Sequence, residues 1–513
     1  MSAGDDAAPR PPFAPRAAPM RATRMRLHAQ HQAIAVMRTD CDVCRAEGLA
    51  ARSQVLVSAG ARQVQAVLYQ ADGDLLGHGQ VALSEAAWRA LGIAEGDPVE
   101  VRHPPLLDSL AGVRRRLYGG RLDAAELSAI VGDVAAGRYS DVHLAAFLTA
   151  TASPPLDDRE TADLTRAMVE AGERLRWPAP VVVDKHCVGG LPGNRTTPIV
   201  VAVAAACGLV MPKTSSRAIT SPAGTADAME TLAPVDLDLP TLRRVVETEG
   251  GCLAWGGAMH LSPADDVFVR IERELDIDTE GQLIASVLSK KIAAGATHVL
   301  IDIPVGATAK VRSVEAADRL AARLGAVAAQ FGLAARCLRT DGAQPVGRGI
   351  GPALEAHDVL AVLRGEAGAP ADLRARAILV AGAVLELGGA AAEGAGAALA
   401  AATLDSGRAW EKFRRICEAQ GGLREPPRAP HVAALPAPRS GRATAIDNRR
   451  LARLAKLAGA PEHPAAGVEL RVCPGDAVAR GEPLLFVHAQ GPGTLAYALD
   501  YARATGDIVA IGD

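Results

Sequence analysis

The chain has 513 residues, 49% of them apolar, and its 55 Lys and Arg nearly balance 58 Asp and Glu at a net charge of -3. That length exceeds one ordinary core, so three or four structural units are expected, and the charge balance excludes the basic footprint of a nucleic-acid binder. With no uninterrupted apolar run of about 18 residues and no signal-peptide plan, the sequence points away from membranes, toward a cytoplasmic protein with a small-molecule substrate.

Residues 1–22, "MSAGDDAAPRPPFAPRAAPMRA", have too few large apolar groups to pack and read as a disordered tail. In residues 23–104 "QVLVSAG", "QVQAVLYQADGDLLGHGQVAL" with ADGD as its turn, and "DPVEVRHP" read as strands, with "LSEAAWRALGI" a short helix before the last. This gives a small N-terminal β-rich domain. Cys41 and Cys44 form a CxxC without a second ligand pair nearby, so no metal site is expected, and the eight scattered cysteines suit a reducing compartment.

Residues 105–178 change to a helical period in "DAAELSAIVGDVAAG", "SDVHLAAFLTATAS" and "DDRETADLTRAMVEAGERL", with Asp141 and Asp158 as N-caps. This helical domain is expected to be completed by about 262–292. From "PVVVDKH" onward, residues 179–428 alternate apolar strands with Ala-rich helices, the pattern of a mostly parallel α/β sheet whose ligands sit at the C-terminal strand ends. The Pro-rich "REPPRAPHVAALPAPRSG" opens a C-terminal α+β domain, 429–513. Its "GVELRVCPGDAVARGEPLLFVHA" resembles the barrel-sandwich fold of biotin and lipoyl carriers, which modify a lysine. No lysine follows Lys456, so a structural role remains.

Three stretches could carry chemistry. "DKHCVGGLPGNR" gathers Lys185, His186, Gly189, Gly190, Gly193 and Arg195 before a long apolar helix; glycines let backbone N–H groups approach an anion, and the helix N-terminus adds partial positive charge. It matches neither GxxxxGK[ST] nor GxGxxG, so on its own it reads as an anion loop or a structural turn. "KTSSRAITSPAGTADAME" concentrates Lys213, Ser215, Ser216, Arg217, Thr220, Ser221 and Thr225, a donor set for phosphate or sugar that capping serines also produce. In "IDTEGQLIASVLSKKIAAG", Gln282, Ser286 and Lys290 fall at i, i+4 and i+8 on one helix face, Leu283, Val287 and Leu288 form the apolar side, and Asp278 sits where an N-cap would.

Together and in this order, the three stretches resemble the thymidine/pyrimidine-nucleoside phosphorylase family, closest to the branch that includes AMP phosphorylases. "SSRAITSPAGTADAMETL" is similar to the family's SGR…GGTxDxxE signature and "DKHCVGGLPGNR" to its phosphate loop, with further likeness in "AAGRYSDVHLAAFLTA", "LTRAMVEAGE" and "QPVGRGIGPALEA". The resemblance implies attack of phosphate on C1′ of a pyrimidine nucleoside such as thymidine, yielding free base and a sugar 1-phosphate. It implies no cofactor or metal, inorganic phosphate as co-substrate, and a homodimer or larger homo-oligomer. Lys185, Cys187, Gly189, Gly190, Ser215 and Thr225 match phosphate-binding positions, and Asp278 matches a proton donor, with His186 a second catalytic candidate. Ser216, Arg217, Ala218, Ile219, Thr220, Ser221, Ser286, Lys290 and Lys310 match substrate contacts. Arg273, or Arg270 in the same "VRIEREL", corresponds to a base-contacting arginine.

The chain departs from the ordinary family at Cys187, where a serine is usual, and at GNR, where GDK is usual. A thiol is the weaker partner for phosphate. The rival readings are a nucleoside 5′-monophosphate phosphorylase, which the N-terminal domain favours and Lys310 would serve, and an anthranilate phosphoribosyltransferase-like enzyme, which the SSRAIT signature disfavours.

Overall fold

A computed structural model describes residues 19–30, 32–189, 191–218, 221–259, 261–277 and 279–512. The chain divides into two compact units, one from Met1–Leu110 with Ala136–Ser140, the other from Ala111–Ala135 with Asp141–Asp513.

The first unit comprises β1 (Met20–Arg24), β2 (Ile34–Arg38), α1 (Asp42–Glu47), β3 (Gln54–Ala59), β4 (Arg62–Ala71), β5 (Gln80–Leu83), α2 (Glu85–Leu91) and β6 (Pro98–Arg102). Its six strands close into a barrel in the order β1-β5-β2-β4-β3-β6, which leaves no free edge. Alternation supplies the interior: Val55 on β3 and Val99 and Val101 on β6 are buried between exposed or half-exposed neighbours, and Val57 on β3 is buried beside the buried Ser58. Two expectations need correction. β1 opens at Met20, inside the stretch read as tail, because Met20 and Ala22 face the core; residues 1–18 lie outside the described residues. β4 and β5, read as joined across ADGD, are not neighbours, since β2 runs between them, parallel to β4 and antiparallel to β5. The first four residues of β2's IAVMR are all buried, so the strand lacks the alternation that marks a half-buried one. Cys41 and Cys44 belong to the barrel core, and burial pushes the Cys44 thiol up to about 11. Among the described residues, no group of three or more His, Cys, Asp or Glu could hold a metal ion.

The second unit begins with α3 (Leu110–Leu117), α4 (Ala124–Ala135), α5 (Asp141–Ala152) and α6 (Asp158–Glu170). Arg116 of α3, almost fully buried, donates to Glu160 at 3.0 Å and to the carbonyls of Ala150 and Pro154, so one guanidinium ties three helices and their turns. The cap of α6 is Asp157, one residue before the expected Asp158. Asp157 accepts from Glu160 N at 2.8 Å while the Glu160 carboxylate accepts from Asp157 N at 3.1 Å. Only Asp157 has a glutamate three residues on, which completes the reciprocal pair. Asp158 instead accepts from Arg323. Asp141 likewise stands in the first turn of α5 and accepts from Arg270 at 2.6 Å.

Strands and helices then alternate: β7 (Val183–Cys187), α7 (Thr197–Ala206), β8 (Met211–Ser215), α8 (Thr225–Glu230), α9 (Leu239–Glu249), β9 (Gly251–Trp255), α10 (Pro263–Leu275), α11 (Glu280–Ala293), β10 (His298–Val305), α12 (Val314–Ala329) and β11 (Ala334–Asp341). β11, β10 and β7 pair in parallel, β8 and β9 pair in parallel, and a parallel bridge from Val182 to Val210 joins the two sets. The strand order is therefore β11-β10-β7-β8-β9, and it reverses at β7, which is where an open parallel sheet offers its ligand crevice. α7 is apolar on every side and buried from Thr197 to Ala205 in the largest core. α10 and α11 return to the helical bundle, α11 against α6 and α10 against α5. No helix among the described residues is long and apolar enough to cross a membrane.

The remainder holds β12 (Gly349–Ile350), α13 (Pro352–Arg364), α14 (Ala371–Leu387), α15 (Gly396–Asp405), α16 (Arg408–Ala419), β13 (His431–Pro436), β14 (Gly441–Ile446), α17 (Asn448–Leu457), β15 (Gly467–Leu470), β16 (Ala477–Val478), β17 (Pro483–Ala489), α18 (Pro492–Thr505) and β18 (Val509–Gly512). Its strands form two sheets, β12-β15-β17-β13 and β16-β14-β18, which share an apolar core with α17 and α18. β12 draws the 344–351 loop of the α/β sheet into the first of these sheets.

Candidate active site

The register of the sheet assembles a row of polar groups at its C-terminal edge. Asp302 of β10 lies opposite Cys187 of β7, and Ser215 of β8 opposite Trp255 of β9. Counting from the Val182–Val210 bridge puts Cys187 abreast of Ser215 and Lys185 abreast of Lys213. The two loops singled out in the sequence thus leave from adjacent strand ends.

In the first loop two glycines are obligatory. At Gly193, φ 72°, a Cβ would stand 2.0 Å from Val346 O; the loop runs against residue 346 there, with Asn194 N donating to Val346 O at 2.9 Å. At Gly189, φ 99°, a Cβ would come within 2.9 Å of Lys310 Cβ, which places Lys310 directly over the loop. Lys185, 1% exposed, donates to the hydroxyls of Thr196 and Thr197 at the start of α7, at 3.0 and 3.3 Å. Both are neutral, and no carboxylate among the described residues pairs with this ammonium. Cys187 receives an Asn194 N–H at 3.4 Å, and burial, with Asp302 adding, pushes its thiol up to about 12, so it is a neutral weak donor.

Beneath the loop lies a charge cluster. Asp184 faces Lys213 at 3.2 Å and Lys291 of α11 at 2.9 Å. Burial works to raise the Asp184 carboxyl, but the two lysines hold it below its ordinary value. Burial, with Lys213 adding and Asp184 opposing, brings Lys291 down to about 7. Lys290 pairs with buried Asp265 at 2.5 Å; burial opposes its charge, yet Asp265 keeps it above the ordinary lysine value. Burial and then the surrounding Lys291, Lys213, Lys290 and Lys185 hold His186 well below its usual range, as a neutral imidazole. Lys185, Lys213, Lys290 and Lys291 thus stand among Asp184, Asp265 and Asp302, and of the four Lys185 is the one with no carboxylate partner among the described residues, the place where an anion would supply the missing charge.

The second loop is held by Asp227, which accepts from Ala218 N at 2.6 Å and Gly224 N at 2.8 Å. Arg217 lies 4.8 Å from the centre of the Trp255 ring at the end of β9 and pairs with Glu230 at the end of α8, so its charge has partners on both elements. Ser221 donates to Ala223 O. The Ser215 hydroxyl is buried without a hydrogen-bond partner among the described residues. Arg195 crosses between loops, donating to Thr225 Oγ1 at 2.6 Å, to Ala223 O at 2.8 Å and to Glu355 of α13 at 2.6 Å.

The structure therefore gathers Lys185, His186, Cys187, Gly189, Ser215, Thr225 and Lys310 around the ends of β7 and β8, with Lys290 bearing on His186 from α11. Ser286 and Lys290 share the half-exposed face of α11. Gln282, expected on that face, is 3% exposed and reaches Thr151, while Leu283, expected on the apolar side, is half-buried. Arg270 is held by Asp141, and Arg273 is exposed at the last turn of α10. The cap of α11 is Thr279, not Asp278. Asp278, Gly190, Ile219 and Thr220 lie outside the described residues. Residues that sequence reasoning left without a role are Asp184, Lys291, Asp265 and Glu355, and Lys213, read as part of the second loop's donor set, pairs with Asp184 instead; the adjacent Lys290 and Lys291 were the only local signal among the four.

A profile described as "Glycosyl transferase family, a/b domain" matches residues 179–410, and one described as "Glycosyl transferase family, helical bundle domain" matches residues 113–172. The chain belongs to this family. A protein of Parvibaculum lavamentivorans called "Putative thymidine phosphorylase" is 72% identical, over 97% of this chain and 98% of its own. Proteins of the same name from Chelativorans sp. and Sphingopyxis alaskensis are 70% and 60% identical, each covering 94% or more of both chains. Among solved structures, anthranilate phosphoribosyltransferase from Thermus thermophilus aligns at TM-score 0.48 and 23% identity, over 60% of this chain and 99% of that one.

Proposed function

We propose that the protein catalyses phosphorolysis of a pyrimidine nucleoside, thymidine and phosphate giving thymine and 2-deoxyribose 1-phosphate. The observation that carries this reading is Lys185, a buried ammonium whose partners are two neutral hydroxyls. A buried cation is costly without a counter-ion, and a phosphate seated at the loop supplies one. Lys185, Ser215 and Thr225 donate to it; Cys187 contributes weakly; the backbone at Gly189 and Gly190 adds N–H donors.

A phosphate oxygen then forms its bond to C1′ as the bond from C1′ to the base nitrogen breaks, and its electron pair passes to the base. Lys290, kept charged by Asp265, stabilises that negative charge, with Ser286 beside it on α11 and Arg273 as a further base contact. Asp278 delivers the proton, and His186, neutral, donates a hydrogen bond without adding charge. Ser216 to Ser221 contact the sugar and base, and Lys310 lies over the phosphate loop. No cofactor beyond phosphate takes part.

The proposed division follows the sequence reading except at its start: a β-rich domain that opens at Met20 with β1 and runs to 104, a helical domain over 105–178 completed by 262–292, an α/β domain over 179–428 and a barrel-sandwich-type domain over 429–513. The eight free cysteines suit the reducing cytoplasm, and the homo-oligomer is proposed on the family resemblance alone. The N-terminal domain does not favour the monophosphate reading here, because relatives named for thymidine match across 97–98% of the chain. Incubation with phosphate and thymidine, uridine, AMP, CMP or UMP, with Asp278→Asn as control, tests this. Base release from thymidine or uridine is expected; release from monophosphates alone would overturn it.

A further inference from the structure

Arg195 is a cation of the first loop whose side chain leaves that loop. It is 13% exposed and makes three charge-assisted contacts: Nε to Glu355 Oε2 at 2.6 Å, Nη1 to Thr225 Oγ1 at 2.6 Å and Nη2 to Ala223 O at 2.8 Å. Glu355 is itself 2% exposed and accepts from Gly351 N, so the far end of this bridge is fixed to the start of α13.

The contact to Thr225 has a directional consequence. A guanidinium only donates, and a hydroxyl has one proton and two acceptor lone pairs. With Arg195 occupying a lone pair, the Thr225 proton must point elsewhere, which makes this hydroxyl a donor toward an anion between the loops.

We infer that Arg195 is a positioning residue for phosphate: it acts through Thr225, fixing that hydroxyl as a donor toward the site. This rests on the phosphorolysis reading above. The planar fork matters, since a lysine offers one compact donor centre that cannot span Glu355, Ala223 and Thr225 together.

The test is a double-mutant cycle on the full chain, read as KM for inorganic phosphate in thymidine phosphorolysis and, independently of turnover, as calorimetric binding of inorganic phosphate. Arg195→Lys and Thr225→Ala should each weaken phosphate roughly 10-fold, with KM for thymidine changed by less than about twofold. The pair Arg195→Lys with Thr225→Ala should be no weaker than Thr225→Ala alone. Multiplication of the two single effects would overturn the inference, because Arg195 would then act on phosphate without Thr225. Unchanged phosphate binding in Arg195→Lys would also overturn it. Unchanged binding in Thr225→Ala would instead remove the phosphate site on which the inference rests. Should Arg195→Lys fail to fold, Glu355→Gln loosens the anchor at constant volume and should weaken phosphate by about threefold; no change there counts against the bridge.

Discussion

Replacing Asp184 by Asn removes one negative charge from beneath the site at constant shape. In the native chain this carboxylate, 1% exposed, faces two ammonium groups at 2.9 and 3.2 Å. At an effective dielectric of about 20 each attraction is gross about 5–6 kcal/mol, most of it offset by desolvation of three ions. Stripping the partner leaves two buried lysines facing each other, and removal of one member of a buried pair costs about 3–5 kcal/mol. The unit involved has about 400 residues, so its unfolding entropy is about 0.8 kcal/mol per kelvin and Asp184→Asn should lower Tm by about 4–6 °C. Adding Lys291→Met to Asp184→Asn should restore at least part of that loss. Scanning calorimetry at pH 6, below the value of about 7 at which Lys291 gives up its proton, checks both; a fall below about 1 °C, or no recovery in the double variant, would refute the idea that Asp184 anchors the cluster.

Lys291, brought down to about 7 from 10.5, binds its proton less readily folded than unfolded; between those values the unfolded chain holds more protons, so stability rises with pH. Lys291→Met should flatten that rise, seen as urea midpoints from pH 7 to 10; an unchanged slope would contradict the assignment. His186→Gln should leave the acid limb of the kcat/KM profile where it is, because the imidazole is already neutral across the working range; a shifted limb would show that His186 titrates there. Ser215→Ala should leave Tm unchanged or raise it, since the hydroxyl is buried without a partner among the described residues, while raising KM for phosphate roughly 10-fold. Loss of stability with unchanged phosphate kinetics would make Ser215 structural.

The loops were legible because their chemistry is local: glycines, cations and hydroxyls crowd into short spans that follow apolar strands. The face of α11 carrying Ser286 and Lys290 was legible from spacing, although Gln282, on the same spacing, turned inward to Thr151. The charge cluster was not legible. Asp184 reads as a strand end, and nothing near it announces Lys213 or Lys291, which only the sheet and α11 bring to it. The reach of Arg195 to Glu355 spans 160 residues, so its loop suggested a phosphate cation where the fold makes a bridge. In the barrel, β2 carried too uniform an apolar run to mark itself, and the hairpin read across ADGD followed from that omission. The cap at Asp157 was readable through Glu160 three residues on, a pairing that a search for single capping residues passes over.

The most direct measurement follows thymidine and inorganic phosphate together by phosphorus NMR. The account predicts that inorganic phosphate is consumed one for one with thymine released, that a sugar 1-phosphate resonance grows in step, and that both stop when phosphate is left out. Thymine release at the same rate without phosphate, or none with it, would contradict the account.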